Sequence, residues 1–283
     1  MPSGNASPRR LLAVSLLLAS TSIGCATEPA GEPIALTFAG MVGDRAFACG
    51  ETYESMGSSA TSFTAMDFRF YLHDLRLVTD DGLELEVTLD DDGTWQNGEV
   101  ALLDFEDGGA CMSGNEPTRS LVMGSVVTTE ARIVALRFRL GVPEHLNHVH
   151  AASQPPPMNV SSLFWGWSAG YDFLRVDGAT TEQPFVTFLL GATDCTGDAR
   201  MGTRTCANGN RPDIELPLAG MEALASGTIV ADLSMLFSTT DLTADGGRAV
   251  GCHSEADDPE CQTLFAAIGL DPEIEQHFFR FQP

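Results

Sequence analysis

Apolar and polar residues alternate most clearly over Met66–Val78, MDFRFYLHDLRLV. Phe68, Phe70 and Leu72 fall on one parity, and Arg69, Tyr71 and His73 on the other. Strand side chains point alternately to the two faces, so this spacing predicts a strand with one apolar face. After His73 the parity breaks. Asp74 takes the face of Leu72, while Leu75 and Leu77 take the face of His73. One extra residue in a strand has this effect, so a β-bulge is expected beside His73. Similar patterns predict strands at Ile34–Val42, Leu83–Leu89, Val100–Phe105, Ile133–Val142, Phe185–Leu190, Ile214–Leu218 and Thr228–Leu233. A short one around Trp165 continues into, or pairs with, Tyr171–Val176. Asp80-Asp81-Gly82 reads as a hairpin turn. Asp90-Asp91-Asp92-Gly93 lacks the spacing of a calcium loop and reads as a solvated turn. Ser55–Ala65 reads as a loop. Gln262–Gly269 and Pro272–Phe279 read as short helical turns.

About nine or ten short strands and no long amphipathic helix indicate an all-β protein, an antiparallel β-sandwich. No composition shift marks a second domain, so residues 34–283 form one unit. The N-terminus is different. Arg9 and Arg10 precede the apolar run Leu11–Ala19, and Ser22-Ile23-Gly24-Cys25 follows. This is the order of a lipoprotein-type signal peptide over residues 1–24, with lipidation at Cys25 and a tether over 25–33. The usual Leu three residues before the cysteine is missing, which leaves plain signal cleavage open. The mature chain is expected to be exported and to meet membrane only through this anchor.

Export gives the cysteines a meaning. Seven cysteines minus Cys25 leave Cys49, Cys111, Cys195, Cys206, Cys252 and Cys261. An even number in an oxidising compartment predicts three disulfides, among 15 possible connectivities. Short loops favour Cys195–Cys206 and Cys252–Cys261, with Cys49–Cys111 remaining. A thiolate metal site is the rival, but no C-x-x-C pair is present.

A net charge of −24 argues against nucleic acid and anionic lipid as partners. All 15 basic residues are arginines, which excludes lysine-nucleophile and Schiff-base chemistry. There is no G-x-S-x-G, H-E-x-x-H, P-loop or C-x-x-C-H motif. What stands out is a run of histidines and tryptophans. GVPEHLNHVH holds His145, His148 and His150, three of six histidines in the chain. Pro155-Pro156-Pro157 follows, then FWGWSAGYDFLRVDG with Trp165 and Trp167. In an extended chain His148 and His150 share one face, and so do the two indoles. Imidazole suits copper and zinc. The plain alternative is that the histidines are ordinary loop residues and the indoles are core filling. His253, between disulfide cysteines, and His277 read as structural or incidental.

The succession FACGETY, DFRFYLHDLRLV, VALLDFEDG, LRFRLGVPEHLNH, FWGWSAGYDFLRVDG, CANGNRP and DDPEC closely resembles the MbnP-like family, the W-x-W "metallo-mystery pair" proteins. The resemblance runs from about Ile34 to Phe279. It implies an exported copper-binding protein, not an enzyme, that serves copper homeostasis in the periplasm or at the cell surface, as an outer-membrane-anchored lipoprotein. It also implies a partner, a di-haem MauG-like enzyme related to cytochrome c peroxidase, which oxidises a tryptophan of the W-x-W to kynurenine. Trp165 or Trp167 is then the modified residue. His73 and His148 are the metal ligands carried over, with His150 as a spare, and neither His73 nor His148 looks like a core position. Two rivals remain: a copper redox or electron-transfer enzyme, and a metal-free adhesion module. Substrate turnover by the copper-loaded protein marks the first, and metal analysis of native protein excludes the second.

Overall fold

The computed structural model describes residue 1 and residues 31–112, 118–166, 168–244, 246 and 250–283. The signal peptide, Cys25 and Trp167 lie outside the described residues. From Gly31 to Pro283 the contacts form one unit. The fold is all-β, as the alternation predicts. It has more strands than the pattern showed. Among the described residues, fourteen strands join one sheet, and two small hairpins stand apart from it.

The alternating segment is the spine of this sheet. It runs from Thr61 to Thr79, so it includes the end of the stretch read as a loop. Along one edge it pairs in turn with Thr52–Met56, Val100–Asp104 and Glu84–Leu89. Along the other it pairs first with Leu174–Thr180 and then with Ile133–Leu140. Those two strands meet at a seam beside Tyr71, whose N–H donates to Phe173 O while its carbonyl accepts from Gly141 N. The chain between Gly141 and Phe173 therefore leaves the sheet at the seam and returns to it. The histidine run and Trp165 lie on this excursion. The expected bulge is present: the register with Ile133–Leu140 shifts between His73 and Arg76, and Asp74 takes a positive φ of 52°.

The sheet is curled, and its packed faces form the core. Phe38 on strand Glu32–Val42 lies edge-on to Phe70 and Phe138, with centroids 6.2 and 6.1 Å away. Phe279, on the terminal strand Phe279–Gln282, meets the same two rings at 5.5 and 5.2 Å. Two pairings are parallel, Glu32–Val42 with Thr228–Asp232 and Val186–Leu190 with Gly251–Cys252. The sequence reading expected antiparallel pairs throughout. Helices are short: Met221–Ser226, Leu233–Leu236 and Cys261–Ala267 are α-helical. The expected turn over Pro272–Phe279 instead leads into the last strand. No helix among the described residues is long and apolar enough to cross a membrane. Three disulfides close the loops: Cys49–Cys111, Cys195–Cys206 and Cys252–Cys261.

The polar parity of the spine is not solvated. Asp67, Arg69, Tyr71 and His73 share one face and are all buried. The excursion covers them. Tyr71 donates to Pro157 O at 3.1 Å, and Arg69 Nη1 donates to Ser162 Oγ at 2.9 Å. Arg69 also pairs with both oxygens of Asp67 and lies 3.3 Å from Glu106 Oε2. Arg175 extends the cluster to Asp177 at 2.7 Å and to Asp67 at 3.2 Å. A buried charge left without its partner is costly, typically about 3–5 kcal/mol. Arg69→Met should therefore lower unfolding stability by about that amount in urea titration. An unchanged midpoint would contradict this account.

Candidate metal and tryptophan site

The excursion opens with tight turns where the reading allowed an extended chain. Pro143 O accepts from Leu146 N, Glu144 O from Asn147 N, and Leu146 O from Val149 N. The turns separate the three histidines. His145 is exposed, with Nε2 3.0 Å from Glu99 Oε2. His148 is buried, with Nε2 3.1 Å from Cys206 Sγ and 3.2 Å from Asn147 Nδ2. His150 caps a short 3-10 turn, its Nδ1 accepting from Ala152 N at 3.2 Å, and its ring lies 5.7 Å from Phe164. His148 and His150 therefore sit in different surroundings, one buried and one exposed.

His73 lies at the seam. Its Nδ1 is 2.8 Å from Gly141 O. A carbonyl only accepts, so Nδ1 carries the proton and Nε2 is left with its lone pair. This is the arrangement seen in metal-ligating histidines, whose second nitrogen is oriented by a backbone carbonyl. Both His73 and His148 are core positions, contrary to the sequence reading: the excursion folds over His73, and His148, on the excursion, packs against Cys206. His73 lines a cleft with Asp74, Glu86, Glu99 and Pro143.

Trp165 occupies another cleft. Phe164–Gly166 pairs with Gly170–Tyr171 as a miniature hairpin, with Gly166 at φ 116° and Gly170 at φ 92°. A side chain at Gly170 would strike Asn147 at 2.5 Å, and Asn147 Oδ1 accepts from Tyr171 N. The turn leaves Trp165 54% exposed. Its ring meets His253 edge-on, with centroids 5.7 Å apart. Trp165 and His253 line a cleft of about 130 Å³ with Asp172, Gly191, Thr193 and Glu255. Neither His73 nor His148 lines it.

Asp172 is buried under the indole. Burial pushes its carboxyl up to about 7, against the pull of Arg175 and a hydrogen bond from Trp165, while Asp177 and Asp67 add to the rise. Its Oδ2 stands 3.9 Å from Arg175 Nη1, too far for a hydrogen bond, and has no other partner among the described residues. His253 Nε2 is likewise buried without a hydrogen-bond partner. Two residues that line one cleft thus each carry an unpartnered buried polar atom, a ring nitrogen and a carboxylate oxygen. That donor set fits copper or zinc.

Two other clusters bring three potential ligand atoms within 4.8 Å: His148 with Cys195 and Cys206, and Asp107 with Cys49 and Cys111. Their cysteines are already joined as disulfides, and a disulfide sulfur is not the thiolate a metal site needs. His253 was passed over in the sequence because nothing near it marks it. The parallel pairing of Gly251–Cys252 with Thr187–Phe188 carries it across the sheet to Trp165.

Burial holds the His73 imidazole near pKa 4, below the ordinary imidazole value of 6.5. Its hydrogen bond to Gly141 and the charge of Asp74 oppose this shift, and Arg211 and Arg139 reinforce it. The folded protein thus keeps His73 neutral while the unfolded chain takes up a proton. Stability should be lost as pH falls from about 6.5 to about 4, with a slope of up to ~1.4 kcal/mol per pH unit from this group. Comparing metal-free wild type with His73→Asn by denaturant titration across that range isolates the effect. Parallel stability curves for the two proteins would exclude it.

The MbnP family model matches residues 31–254. Among solved structures, MbnP from Methylosinus trichosporium superposes with a TM-score of 0.76 at 26% sequence identity, covering 89% of this chain and 98% of that one. No curated protein matched. With the family model spanning most of the chain and the fold shared along nearly its full length, the protein belongs to the MbnP family.

Proposed function

We propose that this is an exported copper-binding protein whose Trp165 is oxidised to kynurenine by a partner di-haem enzyme. In this reading the protein is a substrate for that enzyme and not itself a catalyst. Membership of the MbnP family supports a copper-associated role. The observation that carries the rest is the setting of Trp165. An indole more than half exposed stands beside an imidazole, at the rim of a cleft with two unpaired buried polar atoms. Exposure lets a partner enzyme reach the ring. The cleft gives the product somewhere to bind metal.

The chemistry explains why an indole would be altered there. An indole N–H only donates and offers a metal no lone pair. Two equivalents of hydrogen peroxide, consumed at the partner's haem, deliver two oxygen atoms and leave two waters. They break the C2–C3 bond of the ring and give N-formylkynurenine. One water then releases formate and leaves kynurenine. The ketone and aniline nitrogen so exposed both carry lone pairs. His73, His148 and His150 do not line the Trp165 cleft, so the residues that do are the ones placed to reach a group formed at position 165.

Peptide mapping of native protein should find kynurenine at position 165. Protein made without the haem enzyme should keep an intact indole and bind copper more weakly. Native, copper-loaded protein with both Trp165 and Trp167 unmodified would overturn this function. Kynurenine at 167 with an intact 165 would overturn the choice of residue.

Export and anchoring belong to the same reading. The basic, apolar and small-residue order ending in Gly24-Cys25 supports lipidation at Cys25. Cys25→Ser should move the protein from the membrane to the soluble fraction on fractionation. Unchanged membrane association would count against the anchor.

A further inference from the structure

We propose that His253, through Nε2, is a copper ligand at the Trp165 cleft, with Asp172 Oδ2 as a second donor. The inference rests on the copper reading above and names residues that the sequence pattern did not select. Three observations carry it. First, among the described residues the His253 ring is the imidazole found in ring contact with Trp165. His73 is held to Gly141 O in a different cleft, and His148 lies against Cys206. Second, His253 Nε2 and Asp172 Oδ2 are both buried without hydrogen-bond partners, and their residues line one cleft. An unsatisfied buried polar atom costs roughly 1–3 kcal/mol, so a fold that keeps two beside one indole holds them for a ligand.

Third, the backbone on both sides of His253 is fixed before any metal arrives. Cys252 is tied to Cys261 and pairs with Phe188 of the sheet. Ser254 takes a positive φ of 70°. Its hydroxyl donates to Leu189 O at 2.6 Å and accepts from Gly191 N at 2.8 Å. At Gly251, φ 96°, a side chain would run into Thr187 O at 1.9 Å, so the approach of this loop to the sheet requires glycine. Locked neighbours of this kind hold a ligand in place without cost at the moment of binding. Oxidation of the indole adds a lone-pair donor to the same cleft. That makes copper affinity depend on both His253 and the modification.

The test uses the full mature chain and copper alone. In 15N-histidine-labelled wild type, Cu(I) titration should shift the His253 Nε2 resonance. His253→Asn and His253→Gln should each weaken copper binding at least tenfold in chelator competition and leave the melting temperature unchanged. His150→Asn should bind as wild type. If His253 Nε2 does not shift on copper addition while His73 or His148 does, the assignment falls and the copper function stands. If wild type, with kynurenine in place, binds no copper, both fall. The resonance shift is read on unmodified sequence, so a variant that failed to fold would not blunt the test.

Discussion

The structure depends on burying charge on the inner side of its longest strand. Asp67, Arg69, Tyr71 and His73 occupy the face of Thr61–Thr79 opposite the phenylalanines, and water does not reach them. A polar face of this sort needs a cover that supplies hydrogen bonds, since burial without partners is penalised. The excursion from Gly141 to Phe173 is that cover. It offers Gly141 O to His73, Pro157 O to Tyr71 and Ser162 Oγ to Arg69. The histidines and Trp165 are therefore carried by a segment fastened to the sheet through the spine's own polar residues. A site on such a segment can be exposed yet well positioned.

The fastening also explains the seam. An uninterrupted partner strand along Thr61–Thr79 would leave no exit for the excursion. Two strands share that edge instead, and the bulge at Asp74 re-aims the spine where they meet. Bulges commonly lie beside sites because they redirect side chains. Here His73 is set at the handover, with Nδ1 committed to Gly141 O and Nε2 left over.

Much of this was legible where the signal is local. Alternation over Met66–Val78 gave the spine, the parity break gave the bulge, and loop length favoured two of the three disulfides. Pattern failed where position depends on distant chain. The Thr193–Thr196 and Thr205–Asn208 hairpin is short and polar and has no apolar period. The polar parity of the spine looked like a non-core face, because an excursion 68 to 93 residues later covers it. The W-x-W spacing suggested paired indoles on one strand face, a reading that falls on Trp167, outside the described residues. His253 was invisible for a related reason. Its role depends on a parallel strand pair, and parallel pairing between remote segments leaves no mark in local sequence.

Four buried side-chain atoms lack a hydrogen-bond partner among the described residues: Arg119 Nε, Arg211 Nη2, Asp172 Oδ2 and His253 Nε2. The two arginine atoms belong to guanidiniums bonded through other nitrogens, Arg119 to Asp92 and Arg211 to Glu144. A forked group with one idle N–H is a minor loss. Asp172 and His253 are different. Each offers a single-atom donor of the kind metals take, each directly follows a short strand, the two are far apart in sequence, and both line the cleft of one indole. Independent packing errors would scatter over the molecule. Their coincidence beside Trp165 gathers both donors at the lining of a single cleft, and the excursion that seals the spine is what carries the indole to it.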